Sequence, residues 1–152
     1  MKVDFEQMVT NLMTKDYKYI NSGSGRLVFD LGNGYVVKVS KNRKGLAQNE
    51  AEYRIASKDD THLFARVLDI SEDFKYLIME KAEKIKSISY VWHYFNVKSN
   101  RRLYQIEELR DIASRNKLIL LDFGRSANWG KVNDKPVIID YGFTKEVKEK
   151  YY

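Results

Sequence analysis

A chain of 152 residues, 43% hydrophobic and 32% charged, has the apolar material for a real core and belongs to the folded, globular class. It has no apolar run approaching the ~18 residues of a membrane-spanning helix, and the mixed N-terminus MKVDFEQMVTNLM does not read as a signal peptide. Zero cysteines exclude disulfides and thiolate metal sites and suit a cytoplasmic protein, and two scattered histidines, His62 and His93, exclude a histidine metal cluster. The net charge of +6 points to acidic partners: nucleotide phosphates, nucleic acid or an acidic protein.

In chain order, Phe5, Met8, Val9, Leu12 and Met13 share one helical face, with Asp4 as N-cap and Gln7 three residues on. Ser22-Gly-Ser-Gly25 marks a turn. Arg26 to Leu31 and Tyr35 to Val39 flank Gly32-Asn-Gly34, which predicts a β-hairpin. A basic loop ending at Gly45 leads into a helix from Leu46 to Ser57. Leu63 to Ile70 and Lys75 to Glu80 predict two more strands around Ser71-Glu-Asp73. Ile85 to Phe95 reads as a helix through Ile88, Val91, Trp92 and Phe95, although Tyr90, Trp92 and Tyr94 also alternate as in a strand. Leu103 to Ser114 predicts a further helix. Lys117 to Leu121 and Pro136 to Asp140 predict closing strands joined across Asn133-Asp-Lys135. The order of elements is an α+β plan in a single domain, 1–152, divided at residues 82 and 83.

Several residues in this plan carry chemistry. The glycines of Ser22-Gly-Ser-Gly25 let backbone N–H groups approach phosphate oxygens closely, although an ordinary turn uses glycine in the same way. Lys38 interrupts the apolar strand Tyr35-Val-Val-Lys-Val39. Simple alternation sends it to water, whereas a polar role on a covered face would require an acidic partner, with Glu50 and Glu52 of the next helix as candidates. Near the end, Leu118-Ile-Leu-Leu-Asp122 and Val137-Ile-Ile-Asp140 each deliver a carboxylate at the close of an apolar run, with Asn128 between them. Such hard oxygen donors suit magnesium bound to phosphates.

From Ile20 to Gly142 the chain resembles the protein-kinase-like superfamily, and its small size is similar to that of bacterial or phage-type members. Gly23-Ser-Gly25 followed by Val28 looks like the phosphate-binding glycine loop without its third glycine. Val36-Val-Lys38 looks like the strand lysine that meets the α- and β-phosphates, and Gln48-Asn-Glu-Ala-Glu52 like the helix whose glutamate, here Glu52, pairs with it. Tyr76-Leu-Ile-Met-Glu-Lys81 looks like the strand entering the hinge, where Glu80 to Ala82 would receive adenine and Met79 would border it. Asp122 is similar to the aspartate that orients the acceptor hydroxyl, Asn128 to the magnesium-binding asparagine, and Asp140-Tyr-Gly142 to the metal-binding Asp-Phe-Gly motif. Asp122-Phe-Gly124 is a literal copy of that motif, but no aspartate and asparagine pair precedes it in a catalytic-loop position.

The resemblance implies a small antiparallel N-lobe with a helix, followed by a reduced C-lobe, and an ATP-dependent phosphotransferase using Mg2+. Five residues separate Asp122 from Asn128, one more than the usual loop, and no histidine precedes Asp122. Few residues follow Gly142, which leaves no room for an activation segment or a peptide-docking platform. These departures support a second expectation, a catalytically silent kinase-fold module (a pseudokinase) that acts by binding a macromolecule. A third is a basic nucleic-acid binder using Lys41 to Lys44, Arg101 and Arg102 beside Tyr90, Trp92 and Tyr94.

Overall fold

The computed structural model describes residues 3–152. They form two compact units: the chain up to Ser57 together with Arg66–Lys81, and Lys58–Ala65 together with Ala82–Tyr152.

The first unit is a five-stranded antiparallel sheet with a helix packed on each face. Its strands are β1 (Lys18–Ser22), β2 (Arg26–Asp30), β3 (Tyr35–Ser40), β4 (Val67–Ile70) and β5 (Tyr76–Glu80), in the order β1-β2-β3-β5-β4. The β2–β3 hairpin turns at Gly32 and Gly34, whose φ angles of 78° and 90° are ones an L side chain rarely adopts. Helix α1 (Phe5–Met13) starts at Asp4, whose carboxylate accepts from the Gln7 N–H at 3.0 Å. Only half of a capping box forms, because the Gln7 amide turns instead to Asn11 at 3.0 Å. Met8 packs into a core with Val37 and Ile78, joined by Tyr35, Val39 and Phe29. Helix α2 (Arg43–Lys58) buries Ala51, Glu52 and Ile55.

The predicted strand from Leu63 to Ile70 is divided between the units. Only Val67–Ile70 joins the five-stranded sheet. Phe64 bridges in parallel to Ile138, with Ile138 N–H to the Leu63 carbonyl at 2.7 Å and Ala65 N–H to the Ile138 carbonyl at 2.9 Å. An apolar run read as one strand therefore serves two cores.

The second unit holds a three-stranded sheet, β6 (Glu83–Lys84), β7 (Trp129–Val132) and β8 (Lys135–Ile138), in that order. Its helices are α3 (Ser89–Tyr94), α4 (Asn100–Leu103), α5 (Glu107–Asn116) and α6 (Lys145–Tyr151). The helix predicted over Ile85 to Phe95 forms only over Ser89–Tyr94. The helix predicted over Leu103 to Ser114 is broken at Tyr104-Gln105-Ile106, and Ile106 takes an extended ψ of 121°. The strand predicted over Lys117 to Leu121 does not form. Leu118 makes one bridge to Thr144, and Leu120–Gly124 winds into a 3-10 turn, so the hairpin partner of β8 is Trp129–Val132. Among the described residues no helix is long and apolar enough to cross a membrane.

Glycine placement in the first unit tests this packing. Gly45, inside α2, has no room for a side chain: a Cβ there would lie 2.1 Å from the Gly25 carbonyl oxygen and 2.6 Å from Ser40 Oγ. An exposed helical Gly→Ala change ordinarily stabilises by about 1 kcal/mol. Here Gly45→Ala is expected to destabilise by about 1–3 kcal/mol in urea denaturation. Gly23→Ala, with nothing within 4 Å of the added carbon, is expected to stay within about 0.5 kcal/mol.

Candidate functional site

In the first unit, strand alternation gives Tyr35, Val37 and Val39 to the α1 face and Lys38 to the face that α2 covers. Lys38 is therefore only 6% exposed, and its Nζ lies 2.9 Å from Oε1 of Glu52, which is completely buried. Glu50 sits on the exposed side of α2, 3.9 Å from Arg54. Burial is thus compensated by charge pairing, as the physics of a buried ammonium requires.

The same carboxylate has a second cation. Arg26 grips Glu52 through both oxygens, Nη1 to Oε1 at 2.6 Å and Nη2 to Oε2 at 2.9 Å. Its Nη1 also donates to Asn49 Oδ1 at 3.1 Å. The Asn49 amide nitrogen in turn donates to the carbonyls of Phe74 at 2.8 Å, Lys75 at 3.2 Å and Lys38 at 3.3 Å. Burial pushes the Glu52 carboxyl up, but the charges of Arg26 and Lys38 and their hydrogen bonds outweigh it and hold the group at about 2. Arg26 and Asn49 carry no motif in the sequence. Their signal is one of parity: Val28 pairs with Lys38, so Arg26, two residues before Val28, shares the Lys38 face. Asn49 and Glu52 lie three apart on one helix face.

The remaining residues expected at this end are placed as follows. Gly23, Ser24 and Gly25 connect β1 to β2. Gly25 is buried against Gly45, its carbonyl accepts from Lys41 N–H at 2.8 Å, and the Asn42 amide donates to the Ser24 carbonyl at 3.1 Å. The bare backbone at Gly25 is thus required by close approach to α2. Met79 is buried in β5 opposite Val36. The N–H groups of Glu80 and Lys81 donate to the carbonyls of Arg66 at 2.8 Å and Gly34 at 2.9 Å, which removes two amides of the 80–82 stretch from those that could meet adenine. Ala82 begins the second unit, beside Gly130.

In the second unit, Asp122 lies in the 3-10 turn Leu120–Gly124 and Asn128 in the next one, Ser126–Asn128. Four consecutive carbonyls are held there by four side chains. Tyr104 Oη donates to Leu121 at 3.1 Å, Asn128 Nδ2 to Asp122 at 2.9 Å, Trp129 Nε1 to Phe123 at 2.8 Å, and Asn100 Nδ2 to Gly124 at 3.2 Å. Irregular backbone is thereby satisfied without a sheet. The asparagine reaches back to the Asp122 carbonyl across the two 3-10 turns. That bond uses the amide nitrogen and leaves the side-chain carbonyl as the oxygen donor.

Asp140 follows β8 and is exposed. Tyr141 anchors it from the next position, buried against Phe64 with ring centroids 4.7 Å apart and its hydroxyl donating to the Ala65 carbonyl at 2.7 Å. Partial burial raises the Asp122 carboxyl above its ordinary value, with Arg125 and Lys148 opposing and Asp140 adding to the rise. The two carboxylates are therefore near enough to feel each other's charge. Among the described residues, no three His, Cys, Asp or Glu side chains form a metal cluster. The donor set is two carboxylates and an amide oxygen, which fits magnesium, an ion that takes few protein ligands and completes its shell with water and phosphate.

No family model matches the sequence, and no curated protein is detectably similar to it. The fold is similar to that of the gentamicin complex of APH(2")-IIa, an aminoglycoside phosphotransferase, with a TM-score of 0.52 and 16% identity over 94% of this chain and 71% of that one. The streptomycin-ATP ternary complex of APH(2")-IIa aligns with a TM-score of 0.49 and 17% identity over 93% and 72%. The chain thus has a protein-kinase-like α+β fold.

Two predictions rest on these carboxylates. Glu52 is depressed in the folded state, so its contribution is complete above the unfolded value near 4.5 and is lost as pH falls towards about 2. Glu52→Gln is expected to cost about 3–5 kcal/mol at neutral pH, by leaving two buried cations facing a neutral amide, and to flatten the acid limb of the denaturation profile. Asp122 is raised, so its charged form costs stability at neutral pH and the cost disappears as the group protonates. Asp122→Asn is expected to unfold at a higher temperature than wild type at pH ~7, with the difference closing on acidification through the carboxylate range.

Proposed function

We propose that the chain binds Mg-ATP and transfers the γ-phosphate to a hydroxyl acceptor. The observation that carries this reading is Lys38, a lysine buried in a strand and pinned by its ammonium to a helix glutamate. Hydrophobic packing alone gives no reason to place a cation there, and an anionic ligand does. Asn128 and Asp140 support it as hard oxygen donors, and Asp122 as a partly desolvated carboxylate that feels the charge of Asp140.

In this reading Lys38 and the glycine turn bind the nucleotide. Lys38 meets the α- and β-phosphate oxygens, Val28 and Met79 offer apolar contact to the base, and Gly23, Ser24 and Gly25 line the phosphates. Asn128 and Asp140 supply oxygens that would hold a magnesium ion, which would supply neutralisation of the phosphate charge. Asp122, its basicity raised by burial, orients the acceptor hydroxyl and takes its proton. The acceptor is a small molecule bearing a hydroxyl. The solved neighbour of that fold supports this choice, since it forms a complex with gentamicin.

Titration calorimetry with ATP, with and without magnesium, tests the reading. Wild type is expected to bind only with magnesium. Lys38→Ala and Asp140→Asn are each expected to weaken binding by at least about tenfold, the value of one charge-assisted contact. Lys38→Ala is expected to stay folded, because Arg26 still neutralises Glu52 through two bonds. Transfer of labelled γ-phosphate to a panel of hydroxyl compounds is expected to vanish in Asp122→Asn while Mg-ATP binding persists. Binding without any transfer would instead support the silent module, and no binding under any condition would sink the proposal.

A further inference from the structure

The buried cluster of the first unit contains one cation more than a lysine–glutamate pair needs. Arg26 approaches Glu52 as a fork, touching both carboxylate oxygens at 2.6 and 2.9 Å, while Lys38 meets Oε1 at 2.9 Å. A planar guanidinium in two-point contact is the stronger partner and cannot be deprotonated, whereas a lysine ammonium is a compact charge on a flexible stem. Arg26 is itself held at 6% exposure, and its Nη1 is fixed by Asn49, whose amide is tied to three backbone carbonyls. It also begins the strand that leaves the glycine turn, directly after Gly25.

We propose that Arg26 is a positioning residue for Lys38: by taking both oxygens of Glu52, it leaves the ammonium sharing one of them, held in place yet able to turn to an incoming phosphate. The inference rests on the Mg-ATP reading for the identity of that anion. Glu52 then acts as the anchor of α2 through Arg26 and only secondarily as the partner of Lys38. An exclusive lysine–glutamate pair would have to surrender a full ion pair before the lysine could meet a ligand. Here the guanidinium keeps Glu52 neutralised throughout, so Lys38 exchanges partners without stranding a buried charge.

Arg26→Gln and Arg26→Lys in the full chain test this. The first readout needs no nucleotide: the rate at which acetic anhydride modifies Lys38, relative to exposed lysines of the same molecule, followed by peptide mass spectrometry. In Arg26→Gln the carboxylate loses its guanidinium fork and draws the Lys38 ammonium more tightly, so the relative rate is expected to fall severalfold. Arg26→Lys keeps the charge but not the fork and is expected to lower the rate less, in the same direction. A purely structural Arg26 predicts the opposite sign, because a loosened unit exposes Lys38. An unchanged or faster rate in the folded variants would overturn the proposal, and if Arg26→Gln does not fold, the sign in Arg26→Lys decides. The second readout is Mg-ATP affinity, expected to weaken about tenfold in Arg26→Gln and to be largely restored in Arg26→Lys. Wild type that binds no Mg-ATP would defeat the nucleotide reading, while the labelling rates still decide the role of Arg26.

Discussion

The first unit is organised around a single buried carboxylate. Glu52 has no solvent to stabilise its charge, so α2 can sit on the sheet only where cations meet that charge. Arg26 supplies one from β2 and Lys38 another from β3, so three elements are tied at one point. Asn49 extends the tie to the β5 end of the sheet through the carbonyls of Phe74 and Lys75. Apolar packing would tolerate a helix sliding along its groove. A forked ion pair in a dry site does not, because a shift of even an ångström would strand a charge.

The closeness of α2 to the sheet follows from this tie. Gly25 and Gly45 touch backbone to backbone, with the Gly25 carbonyl against the helix start. Ser40 Oγ donates to the Asn42 carbonyl at 2.6 Å and Asn42 Oδ1 accepts from the Gly45 N–H at 3.0 Å, which fixes the first turn of α2. The glycine turn is consequently docked at Gly25, which answers first to packing, whereas Gly23 has open space around it.

The second unit solves a different problem by different means. Its candidate residues lie on irregular backbone, where the carbonyls have no ladder to join. Side chains from α4, the Tyr104 segment, the Ser126–Asn128 turn and the start of β7 donate to carbonyls 121–124 one after another. Polar side chains thus hold the loop rigid, and the Tyr141 hydroxyl anchors the backbone next to Asp140 in the same way. Rigid placement of oxygens is what a magnesium–phosphate site demands.

The amino-acid sequence by itself determined the elements with strong local signals: α1 with its Asp4 cap, the Gly32–Gly34 hairpin, α2, and the order of the charged residues that resembles a kinase-like protein. These signals are local, set by periodicity, turn chemistry and motif spacing. It could not show β1, whose five residues are all exposed and carry no burial pattern. Nor could it show the division of Leu63 to Ile70 between two cores, since both halves are equally apolar. The choice between a solvated and a buried Lys38 was open for the same reason: alternation gives the face of a strand but not what covers it. Only the tertiary structure decided that α2 covers it, that Glu52 and not Glu50 is the partner, and that Arg26 shares the carboxylate. Each of those outcomes depends on bringing residues 12 or more positions apart into a site too dry to leave a charge uncompensated.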